Sequence, residues 1–146
     1  MTKSRRIGIK FCKESQLLKP VAKFAQREGF CLQKHELPFY EYRIDLYGFC
    51  AHENSTIAVE LKLTNWRRAL EQAMLYQLCS DYVYIAMPER SVGRVDRAEL
   101  MSEGIGLISV LESGDCSCLL RATEHTEVRQ FYRSTQIEFL KEAASA

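Results

Sequence analysis

Apolar side chains recur at 3.6-residue spacing through Leu17, Leu18, Val21, Phe24 and Ala25, which predicts an amphipathic helix. It spans about Glu14 or Ser15 to Glu28 and closes on Gly29, a residue that readily takes the left-handed conformation of a helix stop. Pro20 fits only if the regular helix begins near Leu17, so Glu14 is expected in a lead-in turn. The period then shortens. Phe30–Leu37, ending at Pro38, and Tyr42–Cys50 read as strands. Ala51-His52-Glu53-Asn54 reads as a hairpin turn and Ser55–Leu63 as a third strand rich in β-branched residues.

A second helix is predicted from Trp66 to about Ser80, capped by Thr64 or Asn65, with Leu70, Ala73, Met74, Gln77 and Leu78 along its inner side. The run Asp81–Met87 is apolar throughout, as in a strand covered on both faces, and Pro88 ends it. A short helix from Val95 to Met101 precedes a closing hairpin, Gly104–Leu111 and Cys116–Arg121, around Ser113-Gly114. The last element is a helix from about Thr126 to Lys141, with Val128, Phe131, Tyr132, Thr135 and Phe139 on one stripe. Core packing is expected of that stripe, with a homodimer contact as the alternative. The order α-β-β-β-α-β-α-β-β-α places a meander before a helical crossover, so the fold expected is α/β, a mixed sheet flanked by helices.

Composition narrows the class. With 146 residues the chain suits one domain, and 47% hydrophobic with 27% charged residues is ordinary globular content. No apolar run approaches the ~20 residues of a membrane span, and no secretory signal pattern opens the chain. The net charge of +1 conceals an asymmetry: residues 1–27 hold eight basic side chains and one acid, a charge of +7, leaving −6 for the rest. A basic segment over residues 1–13 could touch phosphates; a solvated basic face and a removable transit peptide are the other readings. Six cysteines (12, 31, 50, 79, 116, 118) form no C-x-x-C pair, and His35, His52 and His125 have no ligand-like spacing. They read as reduced structural residues of a cytoplasmic protein, with a zinc site assembled from distant segments left open.

The chemistry concentrates in Arg43-Ile44-Asp45-Leu46 and Val59-Glu60-Leu61-Lys62. On a strand, Glu60 and Lys62 share one face and Val59, Leu61 and Leu63 the other. If the turn is centred between His52 and Glu53, facing residue numbers sum to 105 and Asp45 lies opposite Glu60. Facing Cβ atoms stand ~4.5–5.5 Å apart, near enough for two carboxylates to share a hard cation. A shift of one residue would send Asp45 to the far face. The bland alternative is a solvated Glu60–Lys62 pair.

Asp45 followed by Glu60-Leu61-Lys62 resembles the D…(D/E)-x-K signature of the PD-(D/E)XK nuclease-like superfamily, although Ile44 stands where the signature proline would precede the aspartate. The helix, meander and crossover helix over about residues 14–88 resemble that superfamily's restriction-endonuclease-like αβββαβ core. Gln72-Ala-Met-Leu-Tyr76 is similar to the Q-x-x-x-Y element of its RecB-type nucleases. The resemblance implies Mg²⁺ (or Mn²⁺) held by Asp45, Glu60 and the Leu61 carbonyl. It implies Lys62 acting on the attacking water, with Glu14 and Gln72 assisting and Glu36 or Glu41 as substitutes for Glu14. Tyr76 would stand close to nucleic acid, and Arg43, Arg67 and Arg68 are candidates for backbone contacts, with Arg90, Arg94 and Arg97 behind them. The implied activity is phosphodiester hydrolysis, DNA being favoured over RNA. The alternative is a module of the same fold that binds nucleic acid or a protein without cleaving. No glycine-rich phosphate loop or nucleophile elbow supports a metabolic enzyme.

Overall fold

A computed structural model describes residues 10–145 of the chain. The first helical turn, Glu14–Leu17, is a 3₁₀ segment that leads into α1, Leu18–Arg27. Pro20 therefore falls in the first turn of the α-helix, where its missing N–H has no helical acceptor to serve. Gly29 ends the element at φ +101°, and Phe30 N–H returns to the Ala25 carbonyl. Three strands follow, β1 (Leu32–Phe39), β2 (Tyr42–Cys50) and β3 (Ser55–Leu61), then α2 (Trp66–Tyr76) and β4 (Tyr82–Pro88). Two short helices, α3 (Glu89–Val92) and α4 (Arg97–Ser102), precede the hairpin β5 (Gly106–Val110) and β6 (Cys116–Leu120) and the final α5 (Gln130–Ser145).

The strands form one six-stranded mixed sheet in the order β1-β2-β3-β4-β5-β6. The β1–β2–β3 meander and the β5–β6 pair are antiparallel, while β3–β4 and β4–β5 are parallel. The parallel steps require the crossovers that α2 and α3–α4 supply. This is the α/β architecture and αβββαβ order expected, with the C-terminal hairpin and helix added. Helices cover both faces. One core packs α2 (Ala69, Ala73, Tyr76) on Tyr47, Ala58, Ile85 and Met87. The other packs Leu17, Val21 and Ala25 on Leu46, Val59, Leu61, Ala86 and Ile108. Phe11 is buried in the second core, so packing begins ahead of residue 14.

Several boundaries depart from the sequence pattern. β1 runs through Pro38, which is tolerated because β1 is an edge strand and Pro38 lies next to the hairpin turn. α2 stops at Tyr76, and residues 77–79 tighten into i→i−3 turns. Residues 89–92, which fall between the elements the sequence predicts, add the extra turn α3. The largest correction is the face of α5. Phe131 is 77% exposed and Phe139 43%, whereas Arg133, Gln136, Ile137 and Leu140 are buried. Arg133 Nε donates to Asp81 Oδ2 at 3.1 Å, and its Nη2 donates to the Asn54 carbonyl at 2.6 Å. Gln136 Nε2 donates to the Pro38 carbonyl at 3.0 Å. Polar side chains with dedicated partners dock this helix, which apolar periodicity cannot register. All six cysteines are free; Cys50 and Cys79 are buried, while Cys31, expected like them to be a structural residue, is exposed. Among the described residues no helix is long and apolar enough to cross a membrane.

Candidate active site

The β2–β3 register obeys the sum of 105 from Leu46↔Val59 to Cys50↔Ser55. The ladder stops at Leu46↔Val59; continuing its count would put Asp45 opposite Glu60, but that pair is not part of the ladder. On the other side β1 pairs with β2 through His35↔Leu46 and Leu37↔Ile44, skipping Glu36 and Asp45. Glu36 has φ +53°, a left-handed conformation that only glycine adopts freely. Its effect is visible in the side-chain pattern. Tyr42 and Ile44 pack in the same core as Tyr47 and Phe49, although strict alternation would put them on opposite faces. β1 and β2 thus exchange faces together at Glu36 and Asp45, and Asp45 is left outside the regular ladder at the gap between β2 and β3.

The Asp45 side chain takes over where the backbone ladder ends: its Oδ2 accepts the Leu61 N–H at 2.8 Å. This charge-assisted bond holds the carboxylate against β3. Glu60 is only 5% exposed, and its Oε2 accepts the Tyr76 hydroxyl at 3.0 Å. Burial above all, then the hydrogen bond and charge of Asp45, push the Glu60 pKa up to about 9, while Tyr76 and Lys62 act the other way. Burial thus favours the protonated form of Glu60 at neutral pH, with its Oε2 accepting from the Tyr76 hydroxyl.

Lys62, just past the end of β3, is half-buried, and its charge is felt at Glu60. It forms no ion pair among the described residues. Beside Asp45 opens a cleft of about 480 Å³ lined by Glu14, Ser15, Leu18, His35, Glu36, Asp45 and Leu61, while Glu60, Lys62 and Gln72 do not line it. The lead-in turn therefore brings Glu14 to the same cleft as Asp45, as expected, and Glu36 joins it. Glu41 lies in the exposed β1–β2 turn and is not part of the cleft. Gln72, one turn before Tyr76 on α2, has a buried Oε1 with no hydrogen-bond partner.

The remaining candidates divide. Tyr76 is fully buried, so it offers no surface to nucleic acid; its hydroxyl is spent inside, on Glu60 and 3.3 Å from the Arg43 carbonyl. Arg43, Arg67 and Arg68 are exposed and engaged with Glu36 (3.8 Å), Glu99 (3.6 Å) and Glu71 (3.1 Å). Arg67 also lies 4.5 Å over the Trp66 ring. Lys3, Arg5 and Arg6 of the basic segment lie outside the described residues. His35 and Ser15 in the cleft carried no sequence signal: each is a single polar residue in a segment read as structural.

Among the described residues no three His, Cys, Asp or Glu side chains stand together as a metal cage. A magnesium site does not need one, since Mg²⁺ is commonly held by one or two carboxylates with waters and phosphate oxygens. Asp45 and Glu60 supply such a pair of hard oxygen donors. Leu61 stands at the same edge of the cleft, and the buried, unpartnered Oε1 of Gln72 is a further acceptor that a bound water could satisfy. The donor set fits the ion, provided that Glu60 gives up its proton.

The molecule is thus an α/β protein with a cleft lined by Asp45, whose carboxylate is bonded to the backbone between Glu60 and Lys62. No protein-family profile matches the chain, and no curated protein does. A solved structure described as a protein of unknown function from Silicibacter pomeroyi has the same fold, with a TM-score of 0.69 over 91% of this chain and 87% of its own. At 20% identity the likeness shows the fold alone.

Proposed function

We propose that the protein is a Mg²⁺-dependent nuclease of the PD-(D/E)XK type that hydrolyses phosphodiester bonds, with DNA favoured as substrate. One observation carries the reading: Asp45 Oδ2 is bonded to the Leu61 N–H, which sets its carboxylate against β3 at the residue flanked by Glu60 and Lys62. Asp45 and Glu60 would hold the ion with help from the Leu61 carbonyl. When bound, Mg²⁺ would supply Lewis acidity at a phosphoryl oxygen and lower the pKa of water. Lys62 would orient the attacking water or stabilise charge on phosphorus. Glu14 and Gln72 would hold further waters around the reacting group, and exposed arginines at the rim would meet the backbone. Tyr76 takes a supporting role here: its hydroxyl fixes the rotamer of Glu60.

The test is cleavage of single-stranded, duplex and branched DNA with Mg²⁺ or Mn²⁺. Activity should vanish with chelator and fall about 100-fold or more in Lys62→Ala, the scale of losing one charge-stabilising group. Equal cleavage by Lys62→Ala would sink the assignment. A second reading is a module of the same fold that binds without cutting. It is favoured by the burial of Glu60, which must be deprotonated before it can serve as a ligand. DNA binding by a wild-type protein that cuts no substrate in either metal would select it. An intracellular location suits both readings.

A further inference from the structure

A second cavity, of about 430 Å³, lies at the other end of the sheet, where β3 and β4 begin. Its walls are four aromatic rings: Phe24 and Phe30 from α1 and the segment after it, and Tyr82 and Tyr84 from β4. Phe24 meets Tyr84 edge-on at 6.4 Å, and Phe30 meets Tyr82 edge-on at 6.5 Å. The box is built rather than accidental. A Cβ on Gly106 would come within 2.4 Å of the Tyr84 ring, so the bare glycine lets that ring lie across the neighbouring strand. Arg121 and Ala122 complete the lining beside Tyr84.

Three carboxylates rim the box, Glu28, Glu53 and Glu124. Glu28 is neutralised by Arg121 at 2.7 Å. Glu124 has no ion-pair partner among the described residues, and Glu53 has only the exposed His52 at 3.9 Å. The negative charge of Glu53 and Glu124 reaches the Tyr82 hydroxyl. Ring faces bearing negative quadrupole potential beneath unpaired carboxylates favour a positive, weakly hydrated ligand and disfavour phosphate.

We infer that this aromatic, acid-rimmed box binds an alkylammonium cation, with the apolar stem against Phe24 and Phe30 and the charged head between Tyr82, Glu53 and Glu124. The same chemistry is offered by a free polyamine and by a lysine side chain of a protein partner. The site is independent of the Asp45–Glu60 pair, so its success or failure leaves the nuclease reading untouched.

The experiment is a titration of the full chain, followed by amide chemical shifts, with spermidine, with Nα-acetyl-lysine methylamide and with the Nζ-acetylated form of the latter. The two cations should shift Tyr82, Tyr84 and Ala122, and the neutral analogue should leave them in place. Glu53→Gln/Glu124→Gln should weaken binding at least tenfold, and Tyr82→Leu at least threefold, with shifts elsewhere unchanged to show an intact fold. Both glutamates are exposed, so the double variant tests the site without disturbing the core. Tighter binding of spermidine would assign the site to a polyamine, and tighter binding of the lysine amide to a partner protein. The inference is overturned by no shifts up to ~10 mM ligand, by equal binding of the neutral analogue, or by undiminished binding to the double variant.

Discussion

At the scale of single residues, Glu60 and Glu36 decide the character of the site. Glu60 pays for its position with a proton: its folded pKa lies near 9, against an ordinary carboxyl value of 4.5. A carboxyl raised on folding contributes stability that is fully present below the ordinary value and is lost as pH rises through the folded one. In the absence of divalent ions, stability should therefore fall between pH 5 and 9 by roughly 1 kcal/mol per pH unit. Glu60→Gln, which keeps the shape and discards the charge, should flatten that slope in urea melts across the range. An unchanged slope would place the proton elsewhere. Ion binding should displace the same proton, so Mg²⁺ affinity is expected to rise with pH in the wild type. Glu36 is a different kind of device. Its left-handed backbone takes Asp45 out of the ladder, and such strain in a non-glycine residue costs on the order of 1–2 kcal/mol. Glu36→Gly should leave thermal stability unchanged or raise it, whereas Glu36→Val should lower it by about 1–2 kcal/mol, because a β-branched side chain resists positive φ. Equal melting temperatures for the two variants would contradict that account.

Elements are placed by their buried partners, and α5 illustrates how. Its single Arg133 joins three segments remote in sequence: the Asp81 carboxylate at the start of β4, the Asn54 turn before β3, and the helix itself. Asp81 Oδ2 also accepts the Thr56 N–H and hydroxyl at 2.9 Å each, so the arginine faces a carboxylate already fixed by the sheet. Removing one member of a buried pair leaves the other charged and unmatched. Arg133→Ala should cost about 3–5 kcal/mol in chemical denaturation, far more than any exposed arginine of the site rim. The cost should shrink when Asp81→Asn is added, since the two act as a unit; purely additive losses would exclude a coupled pair. The aromatic residues that dominate the hydrophobic pattern of this helix, Phe131 and Phe139, contribute little to its docking because both face outward.

For the whole molecule, the sheet separates two chemistries. The Asp45–Glu60–Lys62 group stands where β3 ends, beside the lead-in turn to α1, and the aromatic box stands where β3 and β4 begin. The sheet keeps the negative rim of one site away from the lysine of the other. Both sites carry carboxylates, Glu14, Glu36 and Asp45 in one and Glu28, Glu53 and Glu124 in the other, which the near-neutral net composition conceals.

Periodicity alone determined most of the architecture. The switch from 3.6 to 2 and back located the helices and strands of the αβββαβ core. The centred turn set the β2–β3 register, since spacing and turn chemistry are local properties that survive without tertiary knowledge. The same alternation put Glu60 and Lys62 on one face and brought Asp45 opposite. What it could not determine is how that alternation breaks. The exchange of faces at Glu36 and Asp45 depends on two strands adjusting together, and nothing in either segment by itself encodes it. The role of Tyr76 likewise needed the third dimension: a tyrosine on an inner helix face is legible, but the carboxyl its hydroxyl meets lies sixteen residues away on another element. The docking face of α5 escaped for the same reason. A buried arginine becomes favourable only once Asp81, Thr56 and Asn54 have converged on it, and that convergence is a property of the folded chain, not of any segment.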